Sequence, residues 1–217
     1  MNDLHQSRRL AERTLWSGYV RRLFQTLEIH DRPAAQDISE SLAVFCQHHA
    51  NMSGHILSLL MARSFCITGD TEAAGRILRH DRAHRLHTCS WLDVLSADYP
   101  FPELYPLFSS RALYPQNFAS AGMLWVLDFN KISLTEADRH ELILFQTIRV
   151  LTEKVSNVWK KSNGRGTLGV KGLPRLMQFV RNRRISRQLP GHIRDVLVLR
   201  AQKNGWENVP DVLFFDL

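Results

Sequence analysis

The stretch HDRAHRLHTC, residues 80–89, gathers three histidines and a cysteine, side chains that hold divalent metals. On one continuous helix His80, His84 and His87 share a face at steps of four and three, and imidazoles four apart can chelate. His48, His49 and His55 are the further ligands such a bundle site would draw on. The surroundings weigh against it. The chain has no Glu-x-x-His, no His-Glu-x-x-His and no Cys-x-x-Cys. Arg79, Arg82 and Arg85 are interleaved and repel a cation, while Asp81 is placed to cap a new helix and break the face. The stretch reads as a solvated or interfacial histidine cluster, and a helical-bundle metalloenzyme ranks third among the functions considered.

Other catalytic patterns are weaker. GRGTLG, Gly164 to Gly169, matches Gly-x-Gly-x-x-Gly, but a dinucleotide fingerprint needs a strand before it and an acid about twenty residues on. A long helix is expected before it, and Arg184 lies in the acid's region. The segment reads as a flexible hinge, with Arg165 and Lys171 as candidate phosphate contacts. No Gly-x-Ser-x-Gly elbow is present. Ser53 and His55 stand two apart, which on one helix directs them about 200° from each other. No catalytic residue and no cofactor is expected.

Charge is the stronger lead. The formal net charge is +7. From Lys160 to Lys203 twelve bases stand against one acid, Asp195, giving +11, while the rest holds sixteen bases and twenty acids, giving −4. So lopsided a distribution points to an anionic partner. The expected partner- or anion-binding side chains are Arg165, Lys171, Arg175, Arg181, Arg183, Arg184, Arg187 and Arg194. Arginine dominates, and its planar fork pairs with phosphate or carboxylate. Aromatics are sparse: Phe179 lies inside the tract, with Trp159 and Trp206 flanking it. That pattern disfavours a base-stacking platform. The leading expectation is a non-enzymatic adaptor or scaffold that binds a protein through this surface. A nucleic-acid-binding protein using the same arginines is the alternative.

These residues must be positioned by helices. Leu15, Tyr19, Leu23 and Leu27 recur at helical spacing before Pro33 breaks the run. Helices follow over Ile38–Cys46, over GHILSLLMARSFCITGD and over TEAAGRILRH, with another from about Ala83 to Leu95. Four prolines between Tyr99 and Pro115 read as an irregular connector, and AGMLWVLDF as a buried helix. Thr135 caps the clearest helix, with Asp138 three residues on and Leu144, Ile148, Leu151, Val155 and Val158 as its stripe. Leu173, Leu176 and Val180 dock the basic segment on the body. Ala62, Phe65, Gly69, Ala74 and Leu78 resemble a tetratricopeptide (TPR) hairpin near 55–80, but no second copy appears at a period near 34, so no family is assigned.

The fold expected is all-α: an irregular multi-helix bundle of helical hairpins with a basic helical C-terminal segment. Residues 1–161 form the helical core domain, 162–172 a glycine-rich hinge and 173–217 the basic segment packed on the core. With 44% hydrophobic and 23% charged residues, the 217-residue chain has enough apolar surface for a core. Cys46, Cys66 and Cys89 read as free thiols of a reducing compartment. No membrane span or secretory leader is visible, so a cytoplasmic protein is expected. The apolar tail Val212 to Leu217 docks on its own core or, alternatively, on a second copy of the chain.

Overall fold

The computed structural model describes residues 15–49, 52–96, 101–116, 124–133, 141–180 and 183–216. The chain is mostly helical, 65% against 10% strand, but it is not all-α, because four short strands form one mixed sheet. It divides into two compact units, residues 1–99 and 100–217. That division falls elsewhere than the boundaries expected at 162 and 173. The glycine-rich segment expected as a hinge carries a strand.

In the first unit every described element is helical. Residues 15–26 form α1, followed by α2 (Ala35–His48), α3 (Gly54–Ile67), α4 (Thr71–His80) and α5 (Thr88–Leu95). α3 and α4 form a helical hairpin. Gly69 turns the chain at φ 86°, and the Asp70 carboxylate accepts the Ala73 N–H at 2.9 Å as the N-cap of α4. Ala62, Ala73 and Ala74 are fully buried, small enough for the two backbones to approach closely. Phe24 of α1 meets Phe65 of α3 edge-on at 5.4 Å.

The second unit runs α6 (Phe101–Ser109), β1 (Leu113–Gln116), β2 (Leu124–Asp128), α7 (Glu141–Ser156), β3 (Thr167–Lys171), α8 (Leu173–Met177), α9 (Arg183–Ser186), α10 (Leu189–Asn204) and β4 (Asp211–Phe214). The sheet order is β1-β2-β3-β4; β1 is antiparallel to β2, and β2, β3 and β4 are parallel. Parallel neighbours need crossovers, supplied by α7 and by the α8–α10 stretch. α7 and α10 pack together: His192 lies against the Phe145 ring at 5.0 Å, and Arg200 donates to Asn157 Oδ1 at 2.9 Å.

Three segments become strands against expectation, the two central ones because buried strands lack alternation. LWVLD, expected as helix, is β2, and every residue of it is buried. A central parallel strand is covered on both faces, so it reads as a continuous apolar run without alternation. TLGVK, expected in a hinge, is β3, and the tail segment DVLF is β4. The proline-rich connector also holds a nine-residue helix, α6, in which Pro106 forfeits only one ladder bond. The proposed cap by Thr135 and Asp138 lies outside the described residues, as do Arg181 and Leu217. Leu144, Ile148, Val155 and Val158 are buried as the stripe predicts, while Leu151 is half-buried. Leu173, Leu176 and Val180 are buried too, although the helix there ends at Met177.

Candidate partner-binding surface

The sequence divides its charge at the unit boundary. Residues 1–99 hold eleven bases and eleven acids; residues 100–217 hold seventeen and ten, so the whole +7 belongs to the second unit. Some arginines of each unit are ion-paired; in the second, Arg149 bonds Glu153 at 2.9 Å. In the first unit Arg32 pairs with Glu72 at 2.9 Å and Asp70 at 3.5 Å, and Arg76 pairs with Glu72 at 2.9 Å. The two guanidinium groups hold the Glu72 carboxyl below its ordinary value, first through the hydrogen bond from Arg32.

The expected binding residues of the second unit spread over several elements. Arg165 sits in the turn before β3, Lys171 ends β3, Arg175 is on α8, Arg183 and Arg184 are on α9, Arg187 follows it and Arg194 is on α10. Arg165, Arg183 and Arg187 are exposed and make no side-chain hydrogen bond or ion pair among the described residues. Arg194 is exposed and lies over the Phe214 ring at 5.4 Å. Lys171 is different: it is half-buried, bonds the Tyr114 hydroxyl at 3.2 Å and lies 5.3 Å from the centre of the Phe215 ring. Arg175 donates to the Asn130 carbonyl at 3.1 Å, tying α8 to the end of β2. Both serve the local architecture as well as the surface charge.

The glycine motif is used for packing. Gly164, at φ 81°, lies under the Asn208 carbonyl, which a Cβ would meet at 2.0 Å. Gly169 stands in mid-strand, where a Cβ would meet the Phe215 ring at 2.4 Å and Val126 at 3.2 Å. A strand follows the first two glycines where a dinucleotide or phosphate loop needs a helix.

The histidines do not share a helix face. His80 is exposed at the end of α4, His84 is 4% exposed, and His87 closes a 3₁₀ turn, Arg85–His87, that precedes α5. Asp81 breaks the helix: it is the C-cap of α4, and its carboxylate accepts the Ala83 N–H at 2.7 Å. His84 Nε2 donates to the His55 carbonyl at 2.8 Å, and its ring meets Trp91 edge-on at 5.1 Å. His48 and His49 are exposed on α2, and the His49 ring stacks on Phe45. Among the described residues no three metal-ligating side chains converge. One expectation reverses: Ser53 Oγ and His55 Nδ1 are 2.8 Å apart. Ser53 is the extended N-cap of α3, so the 200° separation of a shared helix does not apply.

Sequence reasoning passed over the outer strand β4. Its backbone docks the tail on β3, yet Leu213 and Phe215 remain 36% and 42% exposed. The signal was present in DVLFF, an apolar run following Pro210. Its strand character depends on β3, more than forty residues away. All three cysteines are free, and among the described residues no helix is long and apolar enough to cross a membrane. Compared with protein-family models, curated proteins and solved structures, the chain matches none of them.

Proposed function

We propose that this protein is a non-enzymatic adaptor whose basic C-terminal surface binds an acidic protein. What carries the reading is the excess of cations in the second unit, seventeen bases against ten acids, with Arg165, Arg183, Arg187 and Arg194 facing solvent without a carboxylate partner among the described residues. Guanidinium groups left in this state attract a partner at long range and pair with its carboxylates on contact. Trp159 is fully buried and Trp206 half-buried, so the tryptophans flanking the tract offer little ring surface for stacking bases, which favours protein over single-stranded nucleic acid.

The test is fluorescence anisotropy with labelled poly-L-glutamate, duplex DNA and single-stranded RNA, each titrated across salt. The full chain is compared with a variant carrying Arg183, Arg184, Arg187 and Arg194 changed to Ala. Salt-sensitive binding of poly-L-glutamate that the variant loses is the expected result. Preference for either nucleic acid, lost in the same variant, replaces this reading with phosphate binding. No binding of any probe at low salt removes the basic surface as a site.

A further inference from the structure

We infer that the first unit holds a small-molecule site between α1 and α2, built to take the carboxylate of a small organic acid. The inference goes beyond the adaptor reading and lies in the other unit, so each can fail without the other.

The turn after α1 brings the two helices together around a cavity of about 270 Å³. Phe24, Ala35 and Ser39 are buried and form its floor; Arg21, Gln25, His30 and Gln36 are exposed and form its rim. Two features here await a partner. Ser39 is 1% exposed, yet its hydroxyl makes no hydrogen bond. A buried hydroxyl in that state has lost its water without a replacement, and folded proteins keep few of them. The second feature is the start of α2, where the N-cap residue is Ala34 and no side chain caps the helix. Its first turn, Ala35 and Gln36, borders the cavity with N–H groups that lack a side-chain acceptor.

These groups select a ligand that accepts. The Ser39 hydroxyl, the α2 N-terminus, the Gln25 amide and the Arg21 guanidinium all donate, and a carboxylate only accepts. Arg21 is the one permanent cation of the described lining, and no acid belongs to it. A single cation suits the single charge of a carboxylate better than the near-double charge of a phosphate. Glu40 stands outside the lining, where it pairs with Arg21 at 3.5 Å and accepts from Gln36 Nε2 at 3.2 Å. That ion pair is solvent-exposed and therefore weak, and the guanidinium keeps further N–H donors for a ligand. Asp31 and Asp37 are exposed and do not line the cavity. Phe24 and Ala35 offer an apolar floor to the body of the ligand. The volume lies below the ~300–1,000 Å³ of pockets for drug-sized molecules, which restricts the occupant to a small acid.

The probes are benzoate, acetate as a smaller acid, benzamide as the neutral analogue and inorganic phosphate as the rival anion. The first three are read on the full chain by saturation-transfer NMR, and phosphate by its displacement of benzoate. Circular dichroism confirms that each variant folds. Benzoate is expected to bind, with benzamide and Arg21→Gln each weakening the interaction about tenfold and Ser39→Ala about fivefold. Arg22→Gln makes the same charge change one residue away, outside the lining, and leaves binding as it was. Without ligand, Ser39→Ala should melt no lower than the parent chain, because the hydroxyl it removes bonds nothing. A lower melting point would assign that hydroxyl to the fold and take it out of the site. If benzamide binds as well as benzoate, or Arg22→Gln weakens binding as much as Arg21→Gln, the carboxylate site falls. Phosphate that displaces benzoate at lower concentration than acetate does overturns the carboxylate in favour of phosphate. If neither acid binds the folded chain, the inference falls and the adaptor reading is untouched.

Discussion

Asp81 illustrates how a single side chain is tuned by its position. It is partly buried, and burial alone pushes its carboxyl up. The Ser58 hydroxyl, the Ala83 N–H and the charges of His84 and His55 together outweigh that, so the group titrates below its ordinary value. A depressed carboxyl contributes stability that is complete above the ordinary range near 4 and is lost as pH falls through the folded value. Asp81→Asn is therefore expected to lower stability by about 1 kcal/mol at pH 7 and by nothing at pH 2, measured by urea unfolding at both. The glycines give an equally sharp contrast. Gly164→Ala forces a Cβ against the Asn208 carbonyl from a left-handed backbone and should cost about 2–4 kcal/mol. Gly191→Ala in the first turn of α10 meets nothing within 4 Å and should stabilise by roughly 0.5–1 kcal/mol. Thermal melting of the two variants separates a glycine required by packing from one that is dispensable.

At the scale of elements, caps and turns decide where helices stop. The α3–α4 hairpin depends on Gly69 for its turn and on Asp70 for its cap, and the Asp70 carboxylate also lies 3.5 Å from Arg32. Asp70→Ala is expected to cost about 1 kcal/mol of unfolding free energy, and Asp70→Asn, which keeps the capping acceptor, less than half of that. Equal losses in the two variants would assign the residue's role to the Arg32 pair instead. Ser53 stands at the N-cap position of α3 in an extended conformation, and its hydroxyl reaches His55 rather than capping a helix N–H. In the sheet, Pro115 and Pro210 mark edges: one sits inside its strand and one in front of it.

For the whole molecule, the unequal charge of the two units is the dominant feature. Exposed arginines without carboxylate neighbours contribute little to folding and much to the external field. Arg183→Ala with Arg187→Ala should change unfolding free energy by less than about 0.5 kcal/mol. The same pair of changes should make the protein elute from a cation exchanger at visibly lower salt. A large loss of stability would show that the two side chains hold the fold, and would remove them from the binding surface. The first unit, with balanced charge, should show no comparable response when Arg76, which pairs with Glu72, is replaced.

The sequence by itself determined the helices of the first unit, the buried stripe of α7, the separation of charge and the docking positions Leu173, Leu176 and Val180. Each of these follows from local periodicity or from counting, because a helix satisfies its backbone bonds within its own segment. Only the tertiary structure decided the sheet. Leu124–Asp128, Thr167–Lys171 and Asp211–Phe214 become strands by pairing with one another across forty residues or more, and the buried first two carry no polar alternation to announce them. The cavity of the first unit is equally a product of packing. Its lining comes from two helices and the turn between them, and Ser39 is set apart from the other described serines only by a buried hydroxyl without a partner, which no spacing in the sequence reveals.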